Sequence, residues 1–121
     1  MTENAKLKGL KVLVVEDEML VSMLVEDMLS DLGCLVVGPA AELDEAMALA
    51  LSADIDAALL DVNLGGKPIF PVADALRERG VPFAFASGYG EAGLSEDHRG
   101  AAVLQKPFRE ADLARALRGL V

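Results

Sequence analysis

The chain has 121 residues and a formal charge of −9; apolar residues make up 53% of it and aromatic residues only 4%. That length fits one domain with a real, aliphatic core, and the composition argues against disorder. The acidic balance repels nucleic-acid phosphates, and the apolar runs stop well short of the roughly 18 residues a membrane span needs. No basic region followed by an apolar one opens the chain, so a cytoplasmic protein with no nucleic-acid or membrane partner is expected.

Residues 1–8 read as a short N-terminal tail, loose in solution, and 9–121 as the domain. An apolar run at 11–16 predicts the first strand and ends in Glu16 and Asp17. Val21, Leu24, Val25, Met28 and Leu32 then recur at helical spacing until Gly33 stops the helix. The second strand, 34–39, holds Cys34, the only cysteine, which is expected to act as a small buried hydrophobe rather than a reactive thiol. Leu43, Ala46, Met47 and Ala50 form a second helical stripe, with Asp44 and Glu45 favouring the dipole in its first turn. The third strand, 56–61, ends in Asp61. A helix follows on Ile69, Val72, Ala73 and Leu76, with Pro71 confined to its first turn and Gly80 closing it. The fourth strand, 82–87, ends in Ser87, and the fifth, 101–105, is followed at once by Lys106. Leu113, Leu117 and Leu120 mark a last helix.

Residues 88–100 break the pattern. Four glycines in this stretch make a helix there short and marginal, since each costs about 1 kcal/mol against Ala. Two readings stand: a long surface loop, or a segment that orders when a signal or partner binds. His98, among Ser95, Glu96, Asp97 and Arg99, is expected to be solvated and without a metal or catalytic role.

Strands that are continuously apolar and alternate with helices predict an α/β fold, a doubly wound five-stranded parallel sheet with helices on both faces. Ligands of such sheets bind at the carboxyl ends of the strands. Glu16, Asp17, Asp61, Ser87 and Lys106 all fall at those ends. Clustered carboxylates need a cation between them, and hard oxygen donors suit Mg²⁺. Asp17 and Asp61 are placed to ligate it directly and Glu16 through a water. Ser87 and Lys106 offer a hydroxyl and an ammonium to phosphoryl oxygens. The pattern therefore points to a Mg²⁺-dependent site that accepts a phosphoryl group.

Val12-Leu13-Val14-Val15-Glu16-Asp17-Glu18, Leu59-Leu60-Asp61-Val62-Asn63-Leu64 and Gln105-Lys106-Pro107-Phe108 resemble the three signatures of response-regulator receiver domains. The similarity spans roughly 9–121. It implies a flavodoxin-like strand order of 2-1-3-4-5 and makes Asp61 the phosphoacceptor. It also implies Mg²⁺ held by Asp17, Asp61 and the backbone carbonyl of Asn63, with Glu16 acting through water. By the same resemblance Ser87 is the switch hydroxyl and Lys106 the phosphoryl-binding lysine. Pro82-Phe83-Ala84-Phe85-Ala86-Ser87-Gly88-Tyr89 is similar to the motif of the FATGUY subgroup, with Ser in place of Thr. That subgroup implies a stand-alone receiver partnered by an HWE-type histidine kinase, with a weak fourth helix. The chain departs from typical receivers at Val103, where the family carries an aromatic switch residue; Phe85 and Tyr89 are the aromatic residues left near Ser87.

The resemblance implies a signalling protein rather than an enzyme acting on metabolites, although its site would catalyse its own phosphorylation and dephosphorylation. The output would be contact with an unidentified downstream protein, or drainage of phosphate from a shared kinase. A constitutive protein-binding module would need a broken site, and none of the expected residues is missing. A Mg²⁺-dependent phosphohydrolase would place an acid two residues after Asp61, where Asn63 stands. A flavin-binding domain of this topology would need a Ser/Thr-rich loop after the first strand.

Overall fold

The computed structural model describes residues 5–98 and 100–121. Its apolar runs become five parallel strands: β1 (Lys11–Val15), β2 (Leu35–Ala40), β3 (Ala57–Asp61), β4 (Phe83–Ser87) and β5 (Ala102–Gln105). They lie side by side in the order β2-β1-β3-β4-β5, the expected doubly wound arrangement. Parallel neighbours need crossovers, and α1 (Met19–Asp31), α2 (Leu43–Ser52) and α3 (Phe70–Glu78) supply the first three, while α4 (Glu110–Leu120) follows the last strand. The crossover from β4 to β5 is different. It holds two 3₁₀ turns, Gly90–Gly93 and Glu96–His98, where the glycine content made an α-helix marginal.

The two-residue period of the strands sends alternate side chains to opposite faces. Leu13, Val15, Ala58, Leu60 and Phe85 pack against α2 and α3, while Val12, Val14, Ala57, Leu59 and Ala84 pack against α1 and α4. The sheet is thus buried on both sides, each Val or Leu contributing about 1.5–3 kcal/mol. Helix α3 buries Val72, Ala73 and Leu76, and Ile69 just before it, as the periodicity predicts, and Pro71 lies in its first turn. Cys34 is buried, its thiol donating to the Leu7 carbonyl, and burial pushes its pKa up.

Helix α1 corrects one expectation. Its buried stripe runs through Ser22, Val25 and Leu29, and Leu24 is 59% exposed. Met19, Leu20 and Met23 are exposed with it. The helix turns only a narrow face to the sheet, so an apolar residue beside the stripe stays in water.

The N-terminal segment corrects another. Ala5–Leu7 form a 3₁₀ turn, and Leu7 is completely buried with Leu29 and Leu117. The Gly9 amide donates to the Gly33 carbonyl at 2.8 Å, fixing the entry into β1. The segment is held because one large apolar side chain fills the gap between α1 and α4. The rest of the expected tail, residues 1–4, lies outside the described residues.

Between β1 and β2 the register shifts near the sheet's carboxyl edge. Gly38 makes this possible: at φ +93°, a Cβ would lie 2.9 Å from the Ala40 amide nitrogen. The chain passes from β1 to β2 on one side and returns to β3 on the other, so a crevice opens between the ends of β1 and β3.

Candidate functional site

That crevice brings together residues far apart in sequence. Glu16 and Asp17 follow β1, Asp61 closes β3, Ser87 closes β4 and Lys106 follows β5. Carboxylate oxygens of Glu16, Asp17 and Asp61 lie within 4.8 Å of one another. The Lys106 ammonium donates to Glu16 Oε1 at 2.8 Å and stands 3.3 Å from Asp61 Oδ1. The Lys106 amide also donates to the Ser87 carbonyl at 2.9 Å, which locks the ends of β4 and β5 together. An open cleft of ≈ 600 Å³ exposes Asp17, Asp61, Asn63, Ser87 and Lys106 along its wall.

The electrostatics follow from crowding three acids around one lysine. Asp61 is pushed up to about 7, first by burial and then by the Glu16 charge, with Lys106 opposing both. Asp17 goes the other way. Burial acts to raise it, but the Gly65 amide, donating to its Oδ2 at 2.9 Å, and the neighbouring carboxyl groups outweigh that, so its pKa is lowered. For Lys106 burial acts downward, but its bond to Glu16 and the charges of Asp61 and Glu16 raise it overall. One ammonium against three carboxyls leaves the cleft short of positive charge. Hard oxygen donors so grouped fit Mg²⁺, which takes few protein ligands and keeps its own waters.

The Ser87 hydroxyl is buried and accepts the Tyr89 amide at 3.0 Å. Asn63 lies two residues beyond Asp61 and pairs with Pro68 in a short antiparallel ribbon, Asn63–Leu64 against Lys67–Pro68. Val103 is half-buried beside Phe85. Tyr89 is 82% exposed, whereas Phe85 is fully enclosed by edge-on contacts to Phe70 at 5.7 Å and Phe83 at 5.3 Å. Of these two aromatic residues, only Tyr89 reaches solvent.

His98 overturns the expectation of a solvated loop residue: it is 5% exposed. Its ring stacks on Phe70 at 4.6 Å and hydrogen-bonds to Asp74 and Ser95. Its sequence neighbours are polar and gave no sign of this.

A parallel sheet of this order, with acids after β1, an aspartate ending β3 and a lysine after β5, defines a receiver. The family model described as the response regulator receiver domain matches residues 12–118, and the chain belongs to that family. Among solved structures it is similar to SdrG of Sphingomonas melonis Fr1, with 42% identity over 93% of this chain and 96% of that one and a TM-score of 0.82. The BeF3-activated conformation of SdrG, recorded for Pseudomonas melonis Fr1, matches at 42% identity over 92% and 96% of the two chains, with a TM-score of 0.78. The receiver domain of a Pseudomonas aeruginosa sensor histidine kinase, with magnesium coordinated in its active-site cleft, is 28% identical over 93% and 97%, at a TM-score of 0.77. No curated protein is similar enough in sequence to match. Receiver domains are signalling domains that receive phosphate from histidine kinases. No helix among the described residues is long and apolar enough to cross a membrane.

Proposed function

We propose that this receiver is a Mg²⁺-dependent phosphoacceptor of a cytoplasmic two-component pathway, taking a phosphoryl group from a histidine kinase onto Asp61. The observation that carries the reading is the position of Asp61, buried at a strand end beside the Lys106 ammonium and two further acids, yet open to the cleft. An Asp61 carboxylate oxygen attacks phosphorus as the P–N bond of a phosphohistidine breaks, its electron pair leaving on the imidazole nitrogen. Asp17, Asp61 and the Asn63 carbonyl would hold Mg²⁺, with Glu16 reaching it through water. The ion would supply the positive charge that lets Asp61 ionise and screens the phosphoryl oxygens. Lys106 pairs with one of those oxygens and the Ser87 hydroxyl donates to another.

The FATGUY-like stretch Pro82–Tyr89 supports an HWE-type kinase as the donor, and the likeness to SdrG supports a single-domain regulator. Such a protein passes its signal by contact with another protein or drains phosphate from a shared kinase. The test is labelling with acetyl phosphate or a cognate kinase, with and without Mg²⁺. Asp61→Asn is expected to abolish incorporation, and full labelling of that variant would sink the assignment.

A further inference from the structure

The segment between β4 and β5 is fixed at two points. One is His98. Its ring lies face to face with Phe70 at an interplanar angle of 23°, and the Phe85 ring meets it edge-on at 5.9 Å. Asp74 Oδ1 stands 2.8 Å from Nε2 and the Ser95 hydroxyl 2.6 Å from Nδ1. A carboxylate only accepts, so Nε2 donates to Asp74, and Nδ1 is hydrogen-bonded to the Ser95 hydroxyl. One side chain thus joins the segment to α3, and Leu94 from the same segment is buried in the core that holds Phe85 and Val72.

The other point is Gly93. A Cβ there would lie 2.5 Å from Ser87 Oγ, so the 90–93 turn sits on the Ser87 hydroxyl with no room for a methyl group. That hydroxyl meanwhile accepts the Tyr89 amide. A Ser87 hydroxyl that turns towards a phosphoryl group on Asp61 leaves the Tyr89 amide without its acceptor and moves away from under Gly93.

We infer that His98 is a positioning residue for Ser87: by holding the segment to Phe70 and Asp74 it keeps the 90–93 turn seated on the Ser87 hydroxyl, and so opposes the turn of that hydroxyl towards a phosphoryl group. The inference rests on the reading of Asp61 as acceptor. Linkage then fixes the sign. Whatever stabilises the seated state weakens phosphoryl binding by the same factor. Loosening His98 therefore weakens the fold and strengthens binding of a phosphoryl mimic, whereas a merely structural residue would not strengthen binding when lost.

The experiment titrates the full chain with beryllofluoride in excess Mg²⁺, following the Ser87 and Tyr89 amides by NMR. Wild type is compared with His98→Ala, Asp74→Ala and Gly93→Ala. Asp74 is 61% exposed, so its variant tests the idea even where His98→Ala folds poorly. All three are expected to bind the mimic tighter, by roughly fivefold or more. Without the mimic, the Tyr89 amide should exchange faster with solvent than in wild type. Unchanged or weaker binding, or an unchanged Tyr89 amide, with wild-type binding intact, overturns the role of His98 alone. Failure of wild type to bind the mimic overturns the phosphoacceptor reading and this inference with it.

Discussion

The Lys106 ammonium lies nearer to Glu16 than to Asp61, at 2.8 Å against 3.3 Å. The lysine is therefore held first by Glu16 and only partly neutralises Asp61. Burial and the Glu16 charge therefore hold Asp61 up, whereas the Gly65 amide and the neighbouring carboxyl groups lower Asp17 against its own burial.

Asp61 makes stability depend on pH with a definite sign. Its folded pKa, about 7, stands above an unfolded value of about 3.9. The folded state thus binds the proton more tightly, and this contribution is fully present below about pH 4 and lost as pH rises through about 7. In EDTA at pH 8, Asp61→Asn is expected to stabilise the protein by up to about 4 kcal/mol, and hardly at all at pH 4. Urea melts of both proteins at the two pH values check this; a difference that does not grow with pH contradicts it.

Mg²⁺ affinity should separate Asp17 from Glu18. Asp17 belongs to the carboxylate cluster, while Glu18 caps the start of α1 and stays outside that cluster. Asp17→Ala is expected to weaken binding by roughly tenfold or more, a loss of at least about 1.4 kcal/mol, and Glu18→Ala far less. Equal effects in a calorimetric titration would show the ligand set to be wrong.

Leu7→Ala should destabilise the fold by about 2–5 kcal/mol, since it empties a fully buried site. Lys8→Ala, at an exposed neighbour, is expected to stay within about 0.5 kcal/mol. Chemical denaturation that finds both variants near wild type would mean that the segment is loose after all.

Amides of residues 88–98 should exchange faster than those of β1 and β3, because two short 3₁₀ turns hold them in place of a helix. Phosphorylation is expected to change that protection. Uniformly slow exchange, insensitive to phosphorylation, would remove the moving part from the switch.

The strands and the acidic cleft were legible because the strands that build the cleft are largely apolar runs cut off by a chemically distinct residue. Asp61 after Leu60 and Lys106 after Gln105 announce both a strand end and a functional group. Leu7 was not legible, since a lone leucine among polar residues carries no periodicity. Leu24 shares the helical spacing of Val25 and Met28, and only the packing of α1 shows which side of the stripe meets the sheet. His98 was hidden for a different reason: Asp74 and Phe70 lie more than a full element upstream, and no local pattern reports a contact made across the fold.

The seat of Leu7 also brings the described ends of the chain together, for the Lys6 ammonium donates to the Val121 carbonyl at 3.2 Å. All five strands run the same way, so this meeting point lies at their amino-terminal edge, a strand length of roughly 16 Å from the cleft. A circular permutant that joins the two ends through a short linker and opens at a surface loop would keep every strand in its register. Its new termini could be placed beside the cleft or far from it without rebuilding the phosphoryl-binding edge.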